Sequence, residues 1–165
     1  MSMRVIGIDP GYERLGIAIL DKTTGKEQLV HSECFRTNSK IPHSARLKEL
    51  GQTINAIIEE YNPEALAIET LFLQSNQKTV MPVAEARGVV MYEAALKNLP
   101  VFEYSPPQIK VAVTGHGRSD KKQVIDMVGK LIKINKKIQF DDEYDAIAVG
   151  LTYFACESFF RKRSL

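Results

Sequence analysis

At His43 the hydrophobic period of this chain switches from that of strands to that of a helix, and the switch excludes both all-helical and all-strand architectures. Before it, "MRVIGIDPG", "RLGIAILD" and "EQLVHSECFRT" are short apolar runs rich in β-branched residues, the pattern of buried strands. Pro10 and Gly11 stop the first run. Gly25 in "KTTGKE" suits a tight connection between the other two, so a three-stranded antiparallel meander is expected. From His43 to Tyr61, the residues Leu47, Leu50, Ile54, Ile57 and Ile58 recur at three- and four-residue steps. That spacing predicts an amphipathic helix, ended by Asn62-Pro63.

Strands and helices then alternate. "ALAIE" reads as a short buried strand finishing on Glu69, and "LFLQSNQKT" as a loop. A second helix is expected from about Pro82 to Asn98, with proline in the first turn, where its missing N–H does no harm. "VFEY" is a further strand closed by "SPP". Helical spacing returns over Gln108 to Val113 and Lys121 to Ile134, on either side of Gly115-His116-Gly117, and a last helix runs from about Asp142 to Phe160. This order describes an α/β domain, a mixed sheet covered by helices on both faces. With 165 residues and 44% hydrophobic side chains, a single domain over 1–165 is the expectation.

Cys34 and Cys156 form no CxxC or Cys/His spacing, so neither a disulfide scaffold nor a zinc site is suggested, and a cytoplasmic home fits. No apolar run approaches the roughly 20 residues that cross a bilayer, and no membrane partner is expected. The net charge of +2 is small but unevenly spread. Between Ser105 and Lys137, the basic residues Lys110, Arg118, Lys121, Lys122, Lys130, Lys133, Lys136 and Lys137 face only Asp120 and Asp126. Such a segment beside an acidic remainder can mark a phosphate-binding face, although solvated helix surfaces carry similar runs.

The acidic residues carry the chemistry. Asp9 closes the first strand and Glu69 closes "ALAIE", and ligands of open α/β sheets sit beyond strand carboxyl ends. If the two strands are neighbours, both carboxylates share one crevice. In "FDDEYDAIAVG", Asp142 and Asp145 stand three apart, on one side of a helix, with Cβ atoms roughly 5–6 Å from each other. Acidic residues in a first turn gain about 0.3–1 kcal/mol each from the helix dipole, and this accounts for Asp141 and Glu143. It does not account for the small apolar stripe that follows, which suits a helix lying against the sheet. Docking that helix would bring four carboxylates together, and their repulsion calls for hard cations bound through oxygen, Mg²⁺ or Mn²⁺. Two such ions roughly 3.5–4 Å apart can activate water and stabilise the leaving oxygen of a phosphodiester.

"GIDPG", Glu69 to Phe72, "EARGVV", "YSPPQIK", "GHGRSDKKQV" and "FDDEYDAIAVG" occur in an order that closely resembles the RuvC family of bacterial Holliday-junction resolvases, over nearly the whole chain. The resemblance implies a ribonuclease-H-like fold with a five-stranded sheet, a homodimer, and Mg²⁺-dependent paired nicking of four-way junction DNA during recombination and repair. By match of motif it places metal binding and catalysis on Asp9, Glu69, Asp142 and Asp145. In the family the last two aspartates are separated by small residues. Here Glu143 and Tyr144 intervene, and Asp141 with Asp145, at i and i+4, is the alternative pair; the motif favours Asp142. The resemblance also implies DNA contacts by Phe72, stacked on an unpaired base, by Lys110 and Lys121 near the cut phosphate, and by Arg118 and Lys122 along the backbone. His116, between two glycines, is the plainer loop residue of that segment. A branch-migration helicase pair, RuvA and RuvB, is the partner implied. In the second helix, Ala84, Gly88, Val89, Met91, Tyr92 and Ala95 offer surface for packing on the sheet and for a two-fold interface. Two other readings are a junction binder without chemistry and an actin-like kinase lobe, the latter lacking a second glycine-rich phosphate loop.

Overall fold

The computed structural model describes residues 2–71 and 77–163. The strands are β1 (Ser2–Asp9), β2 (Arg14–Thr23), β3 (Lys26–Arg36), β4 (Ala65–Glu69) and β5 (Val101–Tyr104). The helices are α1 (His43–Tyr61), α2 (Gln77–Leu96), α3 (Pro106–Thr114), α4 (Lys121–Leu131) and α5 (Asp141–Arg163). The sheet order is β3-β2-β1-β4-β5: the first three strands form the expected antiparallel meander, and β4 and β5 add in parallel through helical crossovers. Thr24 and Gly25, at φ of 45° and 85°, make the tight β2–β3 connection that a left-handed backbone requires.

Alternation along the strands sorts side chains by size. One face carries Ile6, Ile8, Ile17, Ile19, Leu66 and Ile68, packed under Leu50, Ile54 and Ile57 of α1 and Ala86, Val90 and Ala94 of α2. The opposite face carries Val5, Ala18, Ala65 and Ala67 beneath α3, α4 and α5. Small residues let a helix backbone approach closely. At Gly7 an added Cβ would stand 2.4 Å from the Ala146 carbonyl oxygen, and at Gly16 it would stand 2.1 Å from that of Asp142. Thus the "AIAVG" stripe lies directly on β1 and β2, and α5 begins over their ends.

The second helix starts earlier than its sequence suggests: Gln77 to Thr79 are helical, and Pro82 lies inside α2 rather than at its first turn. Proline there removes only the N–H that would reach the Lys78 carbonyl, a loss the packing of Ala86, Val90 and Ala94 outweighs. Helix α4 ends at Leu131, short of Ile134, because Ile132 adopts extended backbone. Among the described residues no helix is long and apolar enough to cross a membrane.

Candidate active site

Strand parity decides where the acidic residues point. Asp9 follows Val5 and Gly7 on the α5 face of β1, and Glu69 follows Ala65 and Ala67 on the same face of β4. The parallel register Ile8↔Ile68 puts the two residues side by side, and Asp9↔Gly16 sets the first turn of α5 over Asp9. The end of β4 is fixed from outside by Arg87 of α2, which donates to the Glu69 carbonyl at 3.3 Å and pairs with Glu103.

Burial and mutual repulsion shape the titration of this group. Desolvation, then the charges of Asp145, Glu69 and Asp142, push the Asp9 carboxyl well above its ordinary value. Glu69 is pushed up to about 7, again mainly by desolvation and then by Asp145, against the opposing pull of Lys121 and Lys110. Burial also raises Asp145, although Lys121 counters it. Burial lowers Lys121, but its bonds to Asp141 and Asp145 outweigh that and hold the ammonium above its usual range.

The four carboxylates therefore share one electrostatic neighbourhood, without closing into a cage: among the described residues no three acidic, His or Cys side chains stand in metal-holding geometry. Asp145 turns to the Lys121 ammonium at 2.9 Å, and Asp142 Oδ2 lies 3.3 Å from Arg14 Nε. Mutual repulsion favours this arrangement, in which Asp142 and Asp145 each turn to a cation. Asp142 Oδ2 is nevertheless buried with no hydrogen-bond donor, an oxygen whose coordination is incomplete.

The neighbouring acids have other tasks. Asp141 is half-exposed and pairs with Lys121 at 2.5 Å. Glu143 is buried, accepts from Ser32 Oγ at 2.9 Å and pairs with Lys136 at 2.6 Å. It thus anchors α5 to β3 on the side away from Glu69. Glu143 is thus engaged by β3 and Lys136, Asp141 by Lys121, and Asp142 by Arg14, with its Oδ2 accepting no hydrogen bond.

The basic residues form a rim. Lys110 of α3 and Lys121 of α4, with Glu69, Pro106, Ile109, Val124, Asp145 and Ala148, line a cavity of about 240 Å³ opening beside the acids. Arg118, in the loop before α4, and Lys122, in its first turn, are exposed. His116 lies exposed in a loop whose Ser119 hydroxyl is buried against Thr114 Oγ1 at 2.5 Å. Phe72 lies outside the described residues.

Arg14 and Gly16 stood outside the motifs, and Gly7 entered them only as the first residue of "GIDPG". Lone glycines inside the β-branched runs "VIGID" and "RLGIAIL" were the available signal, since such glycines mark close backbone approach. Arg14 left none, because its partners Asp141 and Asp142 are far away in sequence.

A mixed sheet of this order, with acids at the tips of its first and fourth strands and on the helix crossing them, defines a ribonuclease-H-like nuclease fold. Comparison with known proteins then narrows the class. The family model described as crossover junction endodeoxyribonuclease RuvC matches residues 5–153, and the chain belongs to that family. Relatives of the same description include one from Finegoldia magna, 42% identical over 151 residues and 92% of each chain. Another, from Thermosipho melanesiensis, is 40% identical over 148 residues, 90% of this chain and 94% of the relative. Thermus thermophilus RuvC in complex with a Holliday junction substrate superimposes with a TM-score of 0.88 at 30% identity, covering 95% of this chain and 96% of that one. The yeast mitochondrial resolvase Ydc2, at 15% identity and a TM-score of 0.72 over 99% of this chain and 85% of its own, shares the fold.

Proposed function

We propose that this chain is a divalent-metal-dependent endodeoxyribonuclease that resolves four-way DNA junctions by paired, symmetrical nicks. The observation that carries the reading is the convergence of Asp9, Glu69, Asp142 and Asp145 at one sheet edge, in a chain of the crossover-junction endonuclease family. Two Mg²⁺ ions, or Mn²⁺ in their place, suit these four residues: the donors are all oxygens, the buried Asp142 Oδ2 accepts no hydrogen bond, and the raised proton affinity of Asp9 and Glu69 is what nearby cations would offset. Bound there, the ions would supply an activated water and charge stabilisation for the leaving oxygen.

The chain's own residues prepare the rest. Lys110 and Lys121 offset phosphate charge at the mouth of the cavity, while Ile109, Val124 and Ala148 give it an apolar, low-dielectric wall. Arg118 and Lys122 extend the basic rim along the DNA backbone, and Phe72 is the proposed stacking residue at the junction centre. Paired nicks need two sites. Met81, Tyr92 and Leu96 are 66%, 61% and 57% exposed along the outward face of α2, with Gly88 between them, and this stripe is the proposed homodimer surface. The RuvA and RuvB helicase pair is the proposed upstream partner.

The test is to offer a synthetic four-way junction, a linear duplex and a splayed fork to the purified protein with Mg²⁺ and map the nicks. Symmetrical pairs in the junction alone are expected. Tyr92→Lys, monomeric by sedimentation, should lose the pairing. Random nicking of the duplex would refute the assignment.

Stability should report metal binding independently of cutting. Glu69 binds its proton more tightly folded, at about 7, than at the ordinary 4.5 of an unfolded chain. Its contribution is therefore complete below pH 4.5 and lost as the pH rises through about 7, on the order of 3 kcal/mol. Asp9 and Asp145 shift in the same direction. In EDTA the melting temperature should fall across that window, and Mg²⁺ at neutral pH should restore it. A flat profile in EDTA would contradict this account.

A further inference from the structure

The turn after Asp9 is held by side chains outside the acidic cluster. His43, the first residue of α1, places Nδ1 at 2.7 Å from the Tyr12 hydroxyl and Nε2 at 2.5 Å from the Glu85 carboxylate of α2. A carboxylate at Nε2 requires the proton there, so in the neutral ring Nδ1 accepts from the tyrosine. The buried Arg46 guanidinium lies 3.8 Å from the Tyr12 ring centroid and donates to Thr37 Oγ1 at 3.0 and 2.7 Å. Thr37 in turn gives its hydroxyl to the Tyr12 carbonyl at 2.8 Å and its N–H to the Glu13 carbonyl at 3.1 Å.

We propose that His43 is a positioning residue for the nuclease reaction: by linking Tyr12 to Glu85, it ties the turn that carries Asp9 to helix α2. Three observations support the role. The turn is tight, since a Cβ at Gly11 would stand 1.9 Å from the Arg14 carbonyl oxygen, so displacing Tyr12 displaces its neighbours. His43 and Glu85 side chains are 43% and 45% exposed, so their pair adds little to global stability. Glu85 also lies on the outward face of α2 with Met81 and Tyr92, so the link runs from the proposed dimer helix to the Asp9 turn.

The inference rests on Asp9 as a metal ligand, and the experiment separates the two claims. Junction cleavage by the full chain is followed across a Mg²⁺ titration, with junction affinity measured by gel shift in EDTA and stability by melting. For His43→Ala and Tyr12→Phe, half-activating Mg²⁺ should rise about 10-fold, with junction affinity and melting temperature unchanged. The double variant should be no worse than either single one, and His43→Gln, which keeps a donor to Glu85, should recover most of the loss. An unchanged Mg²⁺ dependence, or a loss that merely follows junction affinity, overturns the role of His43. Asp9→Asn runs in parallel: if it cuts normally, the ligand assignment fails and the inference with it, whereas an inactive Asp9→Asn beside a wild-type His43→Ala defeats the inference alone.

Discussion

Asp145→Asn should lower junction cleavage by about 10³-fold or more while leaving junction binding intact. The substitution keeps the size of the side chain and removes one charge from the group formed with Asp9, Glu69 and Asp142. Lys121 keeps its second partner, Asp141, at 2.5 Å, so the start of α4 stays in place. The same change relieves repulsion, because the Asp145 charge raises both Asp9 and Glu69. In EDTA the variant should therefore melt higher than the wild type, and Mg²⁺ should raise it less. Gel-based cleavage and binding assays with melting curves check all three expectations. Cutting at the wild-type rate would remove Asp145 from the site; a lower melting temperature in EDTA would show that its bond to Lys121 outweighs the repulsion.

The second large effect is expected from a residue that carries no charge itself. Gly16→Ala would set a methyl 2.1 Å from the Asp142 carbonyl oxygen, 2.8 Å from its carbon and 3.1 Å from the Asp9 Cβ. None of these atoms is the free end of a flexible side chain, so the first turn of α5 must lift. The cost should be about 1–3 kcal/mol of stability, with cleavage falling about 10²-fold as Asp142 and Asp145 leave Asp9. Gly129→Ala in α4, where a Cβ meets nothing within 4 Å, is the control and should be neutral or slightly stabilising. Full activity in Gly16→Ala would mean that α5 need not sit so close.

Much of this was legible in the sequence because it rests on local rules. The change of period at His43 gave α1 its bounds, and Asn62 closes it in the left-handed conformation that asparagine tolerates. Strand parity placed Asp9 and Glu69 on one face once β1 and β4 proved to be neighbours. Pro82 misled, because a proline one turn into a helix looks like one at its start. Spacing set Asp142 beside Asp145 and left Glu143 to helix capping, but gave no sign of the partners each would find. Those partners are Ser32, Lys136 and Arg14, three residues brought in by tertiary packing. Lys121, placed near the cut phosphate by resemblance, is also the counterion of Asp141 and Asp145, and sequence spacing carries no sign of that pairing.

The unequal faces of the sheet have a practical corollary for engineering. On the isoleucine side, bulk can be exchanged between strand and helix by repacking, since branched side chains have room to compensate for one another. On the glycine and alanine side, backbone rests on backbone at Gly7 and Gly16, and a single added carbon there must push α5 away from the sheet. A thermostable version of this nuclease should be sought beneath α1 and α2, with the bed of α5 left as it is.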